Sequence, residues 1–190
     1  MTVADFIASL QREAGDAGRG PPPVDRWNPP DCGNSFIEIL RDGTWRHEGV
    51  RMTRESLVRL FASILRKDED GITWLVTPVE KVRVTVEDAP FLAVRADREG
   101  AGKDQIIAFT TNMGDVAALG PDHPLRVELN DGEPRPYVLV RGRLEARVLR
   151  APFYELVDWA QEEDTLEGPR LGVWSSGVFF PVGPVGAHLQ

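Results

Sequence analysis

An internal repeat constrains this chain more than any other feature. Residues 37–62, moved forward by 99 positions, set Leu40 on Leu139, Gly43 on Gly142, Arg51 on Arg150, and Leu57-Val58 on Leu156-Val157. Four more residues in the following loop bring Pro78-Val79 onto Pro181-Val182 and Val82 onto Val185. A hairpin turn and a helix fall in register in both segments. A small unit of this kind must bury one apolar face per element, so the repeat points to a duplicated α+β core. Arg54 falls on Phe153 and Ile64 on Glu163, so the two helices are expected to pack on different neighbours.

The elements follow from pattern and turn chemistry. Asp42-Gly43 between Ile37, Ile39 and Trp45 is a hairpin signal. Thr53 can cap a helix with an apolar stripe of Leu57, Leu60, Phe61, Ile64 and Leu65. Strands are expected over 72–76, 81–86 and 91–94. Val82, Val84 and Val86 alternate with Lys81, Arg83 and Thr85, which marks one wet face. Residues 97–103 read as a loop between halves. Strands follow over 106–109, 125–129, 137–140 and 144–148, with turns at Thr111–Asp115 and Asn130–Gly132. Pro152 suits the first turn of a second helix, which the acids Glu162, Glu163 and Asp164 would stop near Gln161. Trp174 and Val178–Val182 form the last strands. Val3, Phe6, Ile7 and Leu10 predict a short N-terminal amphipathic helix, which either packs back on the body or binds a partner.

Composition narrows the function classes. The charged fraction is 27% and the formal net charge is −8, which disfavours a nucleic-acid duplex or an anionic membrane as partner. A local basic patch remains compatible with one phosphate group. Cys32 is the only cysteine, so no intrachain disulfide forms, in keeping with a reducing compartment. The chain shows no secretory signal pattern and no apolar run of membrane-spanning length, so a soluble cytoplasmic location is expected.

The chemical motifs are weak. Glu99–Asp104 lacks the first glycine and the hydroxyl of a phosphate-binding loop. Trp174-Ser175-Ser176-Gly177 lacks the glycine that a nucleophile elbow needs before its serine, and neither His123 nor His188 is placed as a base. Cys32 and His47 have no partners at zinc-ligand spacing. No catalytic residue, metal or cofactor is therefore expected. Polar groups set in apolar strands are more informative. Thr77, Glu80 and Lys81 bracket one strand break; Thr111, Asn112 and Asp115 bracket another. Arg59 projects from the first helix. Trp27 offers a face on which a base could stack. Together these could hold a phosphate, a ribose or an amide; the structural alternative is that they cap strands and form a salt bridge.

Pro22–Pro29, Arg41–Trp45, Leu57–Ser63, Leu75–Val82, Glu87–Phe91, Thr111–Asp115 and Trp174–Pro181 together resemble the bacterial domain-of-unknown-function family 1285. The resemblance spans most of Pro21–Pro184. It implies a duplicated core of antiparallel sheet and helix, with a second copy like a pleckstrin homology domain. It further implies a nucleotide-like ligand between the copies and a role in signalling. It supplies no catalytic residues.

The sequence thus predicts an α+β protein of two tandem, similar strand-strand-helix-strand domains with mostly antiparallel sheets. The expected divisions are an N-terminal helix and linker over 1–20, a first repeat over 21–100 and a second over 101–190. The expected function is non-enzymatic binding of a small nucleotide-like ligand by Trp27, Arg59, Thr77, Glu80, Lys81, Thr111, Asn112 and Asp115. The alternative is a protein-interaction module.

Overall fold

The computed structural model describes residues 22–130, 132–166 and 168–184, so the helix expected in the first residues lies outside them. The described chain is mixed α+β, mostly strand, with two α-helices. It divides into two compact units, residues 22–88 with 142–144, and residues 89–141 with 145–184.

In the first unit a 3-10 turn, Val24–Arg26, precedes β1 (Asp31–Ile39), β2 (Trp45–His47) and β3 (Val50–Arg51). Helix α1 (Glu55–Ser63) follows, then β4 (Leu65–Lys67), β5 (Thr73–Val76) and β6 (Lys81–Val86). The six strands lie in the order β3-β2-β1-β6-β5-β4. All pairs are antiparallel except β1 with β6, which is parallel. The sheet is therefore two three-stranded meanders joined at its centre by its first and last strands.

Turn chemistry fixes the first hairpin. The Asp42 carboxylate accepts the Thr44 N–H at 2.8 Å, and Gly43 takes φ +82°, a conformation that costs residues with a Cβ. One face of the sheet carries Ile37, Ile39, Trp45, Leu65, Leu75, Val82 and Val84, all buried. Helix α1 contributes Phe61 and Ala62 to the core. The stripe expected to continue along this helix breaks at Ser63. Ile64 caps the helix and Leu65 opens β4, yet both are 1% exposed, because the chain turns into the sheet without leaving the core.

The second unit begins with β7 (Phe91–Glu99), β8 (Ile106–Thr111) and β9 (Val116–Ala118). It continues with β10 (Leu125–Asn130), β11 (Glu133–Arg141) and β12 (Leu144–Val148), then α2 (Arg150–Trp159). Its sheet order is β10-β11-β12-β7-β8-β9, with β12 parallel to β7. The strand order repeats that of the first sheet: two meanders joined by a parallel first-to-last pair. After α2, β13 (Gln161–Thr165), β14 (Gly168–Ser175) and β15 (Val178–Pro184) form a separate antiparallel sheet.

The repeat holds for part of its length. β2 and β12 start at Trp45 and Leu144, the offset read from the sequence. The helices start at Glu55 and Arg150 because β3 intervenes only in the first copy. The Pro-Val match does not join equivalent positions: Pro78 lies in the β5–β6 turn, whereas Pro181 lies inside β15. Residues 97–103, read as a loop between halves, contain the end of β7 and the turn to β8, and both strands belong to one sheet. Helix α2 ends at Trp159, close to the stop expected near Gln161, and the acids beyond it form β13, where Glu163 accepts the Trp174 indole N–H at 2.9 Å.

Candidate functional site

The sheet registers bring charged residues of distant sequence onto the outward face of the first sheet. Trp74 stands opposite Arg66 on β4 and opposite Arg83 on β6. Strand alternation puts Lys81 on the same face as Arg83. The Lys81 ammonium lies 4.3 Å from the centre of the Trp74 ring and the Arg83 guanidinium 5.4 Å from it. Asp68, just past β4, accepts from Lys81 Nζ at 3.0 Å and from Arg66 Nε at 2.7 Å. Burial works against the Asp68 charge, but the Arg66 and Lys81 hydrogen bonds outweigh it, so its pKa lies below the usual carboxylate value. Arg66 Nη1 also donates to the carbonyls of Val24 and Trp27, at 2.9 and 2.7 Å, which ties the entering chain to the sheet.

The β5–β6 turn supplies a second feature. Thr77 is buried, and its Oγ1 accepts the Glu80 N–H at 3.2 Å while the Thr77 N–H donates to the Glu80 carbonyl at 2.9 Å. The hydroxyl that the sequence offered to a ligand thus closes a turn. Glu80 is only 5% exposed, and its Oε1 has no hydrogen-bond partner. Burial pushes its carboxyl pKa up, and a hydrogen bond from the Cys32 side chain draws it back only in part. Cys32 is exposed, and its Sγ donates to the Pro30 carbonyl at 3.8 Å. The Lys81 N–H donates to the Pro30 carbonyl at 3.0 Å, which fixes the start of β1 against this turn.

Of the residues expected at the site, Thr77, Glu80 and Lys81 meet at the end of this hairpin. Trp27 joins them through its carbonyl and Arg66, with its ring half-buried. Arg59 is exposed on α1 and forms no hydrogen bond or ion pair among the described residues. In the second unit Thr111 Oγ1 accepts the Asp115 N–H at 3.1 Å, Asn112 Oδ1 accepts the Leu92 N–H at 3.0 Å, and Asp115 pairs with Arg141 at 2.6 Å. These three groups hold the β8–β9 turn. Sequence reasoning missed Arg66, Asp68, Trp74 and Arg83. Their signal was present in the wet-face alternation of β6, but only the register shows which strands that face adjoins.

The nucleophile-elbow serine is a structural staple. Ser175 is fully buried, donates to the Leu119 carbonyl at 2.8 Å and accepts the Ile107 N–H at 3.0 Å, so no hydroxyl is presented for attack. Among the described residues no group of three or more His, Cys, Asp or Glu could hold a metal ion, and no helix is long and apolar enough to cross a membrane.

The architecture defines a two-unit α+β protein with its charge cluster at a hairpin end, and comparison places it among relatives. Residues 22–89 match the N-terminal domain model of the domain of unknown function DUF1285, and residues 90–182 match its C-terminal domain model. The chain belongs to the DUF1285 family. It is similar to the crystal structure of a DUF1285 family protein from Silicibacter pomeroyi DSS-3, at 45% identity and a TM-score of 0.83, covering 93% of this chain and 95% of that one. It is also similar to a DUF1285 family protein from Shewanella baltica OS155, at 31% identity and a TM-score of 0.51, covering 65% of this chain and 91% of that one. No curated protein sequence matches the chain.

Proposed function

We propose that this protein binds a small nucleotide-like ligand at the end of the β5–β6 hairpin and serves as a ligand-responsive, non-enzymatic component of a signalling process. One observation carries the reading: Glu80 holds a buried carboxyl with an unpartnered oxygen in the turn next to Lys81, whose ammonium lies with the Arg83 guanidinium over the Trp74 ring. A buried acceptor without a donor costs about 1–3 kcal/mol, and carboxyls whose pKa is raised by burial are candidates for functional sites. A ligand that carries both an amino donor and a phosphate satisfies both halves. Its amino group gives Glu80 the missing hydrogen bond, and its phosphate meets cations that Asp68 neutralises only in part. Trp27, half-buried and tied to Arg66 through its carbonyl, supplies the aromatic side chain.

The single cysteine makes the test clean. The alkylation rate of Cys32, measured with and without mono-, di- and cyclic nucleotides, is expected to fall with a ligand that also raises the melting temperature. Glu80→Gln is expected to abolish both effects while remaining folded. Nucleotides that leave the melting temperature and Cys32 reactivity unchanged would sink the proposal.

A second reading, a protein-interaction module built on the second unit, draws on an open groove of about 700 Å³ between β10 and β15. Leu125, Val127, Leu129, Leu166, Phe179 and Val182 line it, and Leu129 is 73% exposed. This is also the unit for which the pleckstrin homology likeness is proposed.

A further inference from the structure

The first strand carries a bulge at the chain's single cysteine. Asp31 pairs with Lys81 and Asn34 with Arg83, so β1 takes three residues where β6 takes two. A bulge re-aims the side chains it carries. Gly33 takes φ +94°, and the Asp31 carboxylate accepts its N–H at 2.8 Å, which fixes the bulge around Cys32. Cys32 is exposed, and a Cβ on Gly33 would meet nothing within 4 Å, so this stretch of chain borders open space.

The Asp31–Lys81 pairing and the Lys81 N–H bond to the Pro30 carbonyl bring Cys32 alongside the β5–β6 turn. There its thiol lies within hydrogen-bonding reach of two groups, the Pro30 carbonyl at 3.8 Å and the Glu80 carboxyl. Glu80 is 5% exposed, and its Oε1 has no partner. An exposed thiol thus adjoins a buried carboxyl that has one oxygen still to satisfy. Burial favours the protonated form of that carboxyl, which gives it a proton to donate.

We infer that Cys32 is a site of reversible oxidation by hydroperoxides, in which Glu80 moves the proton and holds the oxygen added to sulfur. Sγ attacks one peroxide oxygen; the S–O bond forms as the O–O bond breaks, and sulfur gives two electrons to the peroxide. The thiol proton passes to one oxygen of Glu80 as the other gives its proton to the departing hydroxide, which leaves as water. A positioned proton carrier speeds this step, because bare hydroxide is a poor leaving group. The sulfenic acid so formed places a new oxygen beside Glu80, and Oε1 gains the hydrogen bond it lacks while the sulfur is reduced. With one cysteine in the chain, no internal disulfide can follow. Thiols of other molecules restore the site: one displaces water to form a mixed disulfide, and a second releases Cys32. The inference shares Glu80 with the nucleotide reading but needs no nucleotide, so the two fail separately.

The test uses the full chain without nucleotide, with hydrogen peroxide as oxidant and dimedone labelling of Cys32 read by mass spectrometry. Iodoacetamide alkylation is the control, because iodide leaves without a proton. The folded parent is expected to oxidise about tenfold or more faster than the same chain unfolded in urea at the same pH. Glu80→Gln is expected to lose that advantage while its alkylation rate changes little. Oxidation no faster in the folded parent than in urea would overturn the inference. So would a folded Glu80→Gln variant that oxidises as fast as the parent. An equal loss of oxidation and alkylation in that variant would do the same, since Glu80 would then govern only access to the thiol.

Discussion

Glu80 shows how a single side chain can weigh on stability and still be kept. Its pKa is raised above the ordinary 4.5 because the fold shields the charged form from water. A folded-state pKa above the unfolded one means that the fold holds the proton more tightly. That contribution is complete below the unfolded pKa and is lost as pH rises through the folded one. Glu80→Gln, which does not titrate, is therefore expected to be more stable than the parent at pH 7 by about 1 kcal/mol, with the advantage fading toward pH 4. Urea unfolding of both proteins at the two pH values checks this; a parent as stable as the variant at pH 7 would show that the carboxyl is satisfied. Asp68 titrates in the opposite sense, since its depressed pKa adds stability that is lost as pH falls through it. At this scale the sequence was partly legible. Thr77, Glu80 and Lys81 stood out as polar residues in an apolar setting, but whether each was free or engaged depended on turn geometry. Thr77 is consumed by its own turn, whereas Glu80 is left without a partner at Oε1.

Strands and helices were legible where local chemistry decides them. β6 and β12 occupy the residues that alternation predicts, and Asp42-Gly43 turns the first hairpin. β4 and β13 were not legible. Leu65 follows a helical stripe without a break in hydrophobicity, and Glu162–Asp164 carry charges that disfavour a strand. Tertiary pairing overrides propensity at both places: Leu65 pairs with Leu75, and Glu163 pairs with Arg170. The β14–β15 hairpin depends on one position without a side chain. A Cβ on Gly172 would lie 2.5 Å from both the Phe179 ring and the Phe180 carbonyl, and neither can yield, because that ring packs on Trp174 with centroids 5.5 Å apart. Gly172→Ala is expected to cost about 2 kcal/mol or more by overpacking, measured as a lower urea midpoint at unchanged slope.

At the scale of the molecule, the internal repeat foretold two α+β units but not how their strands are ordered. Each large sheet is closed at its centre by the first and last strands of its own set, β1 with β6 and β7 with β12. No local pattern encodes a parallel pairing between segments so far apart, because alternation specifies a face and not a neighbour. Buried positions of the β1–β6 ladder, such as Ile37 and Val84, are therefore where truncation should be felt throughout the first unit. Val84→Ala is expected to destabilise by about 1–2 kcal/mol, and stopped-flow kinetics should assign most of that change to faster unfolding.

That expectation rests on the order in which a growing chain acquires its parts. β1 leaves the ribosome first, with neither β6 nor a parallel partner of any kind yet made, and it must wait while β2, β3, α1, β4 and β5 are synthesised. Closing a loop of that length is entropically slow, and non-local pairing is formed late. Until residue 86 is free, the first unit is one meander, β1 to β3, and an unfinished second one, and the inner edge of β1, at the future centre of the sheet, is exposed to any other strand nearby. Its vulnerability during synthesis is therefore greatest along the segment that is most protected once folding is complete.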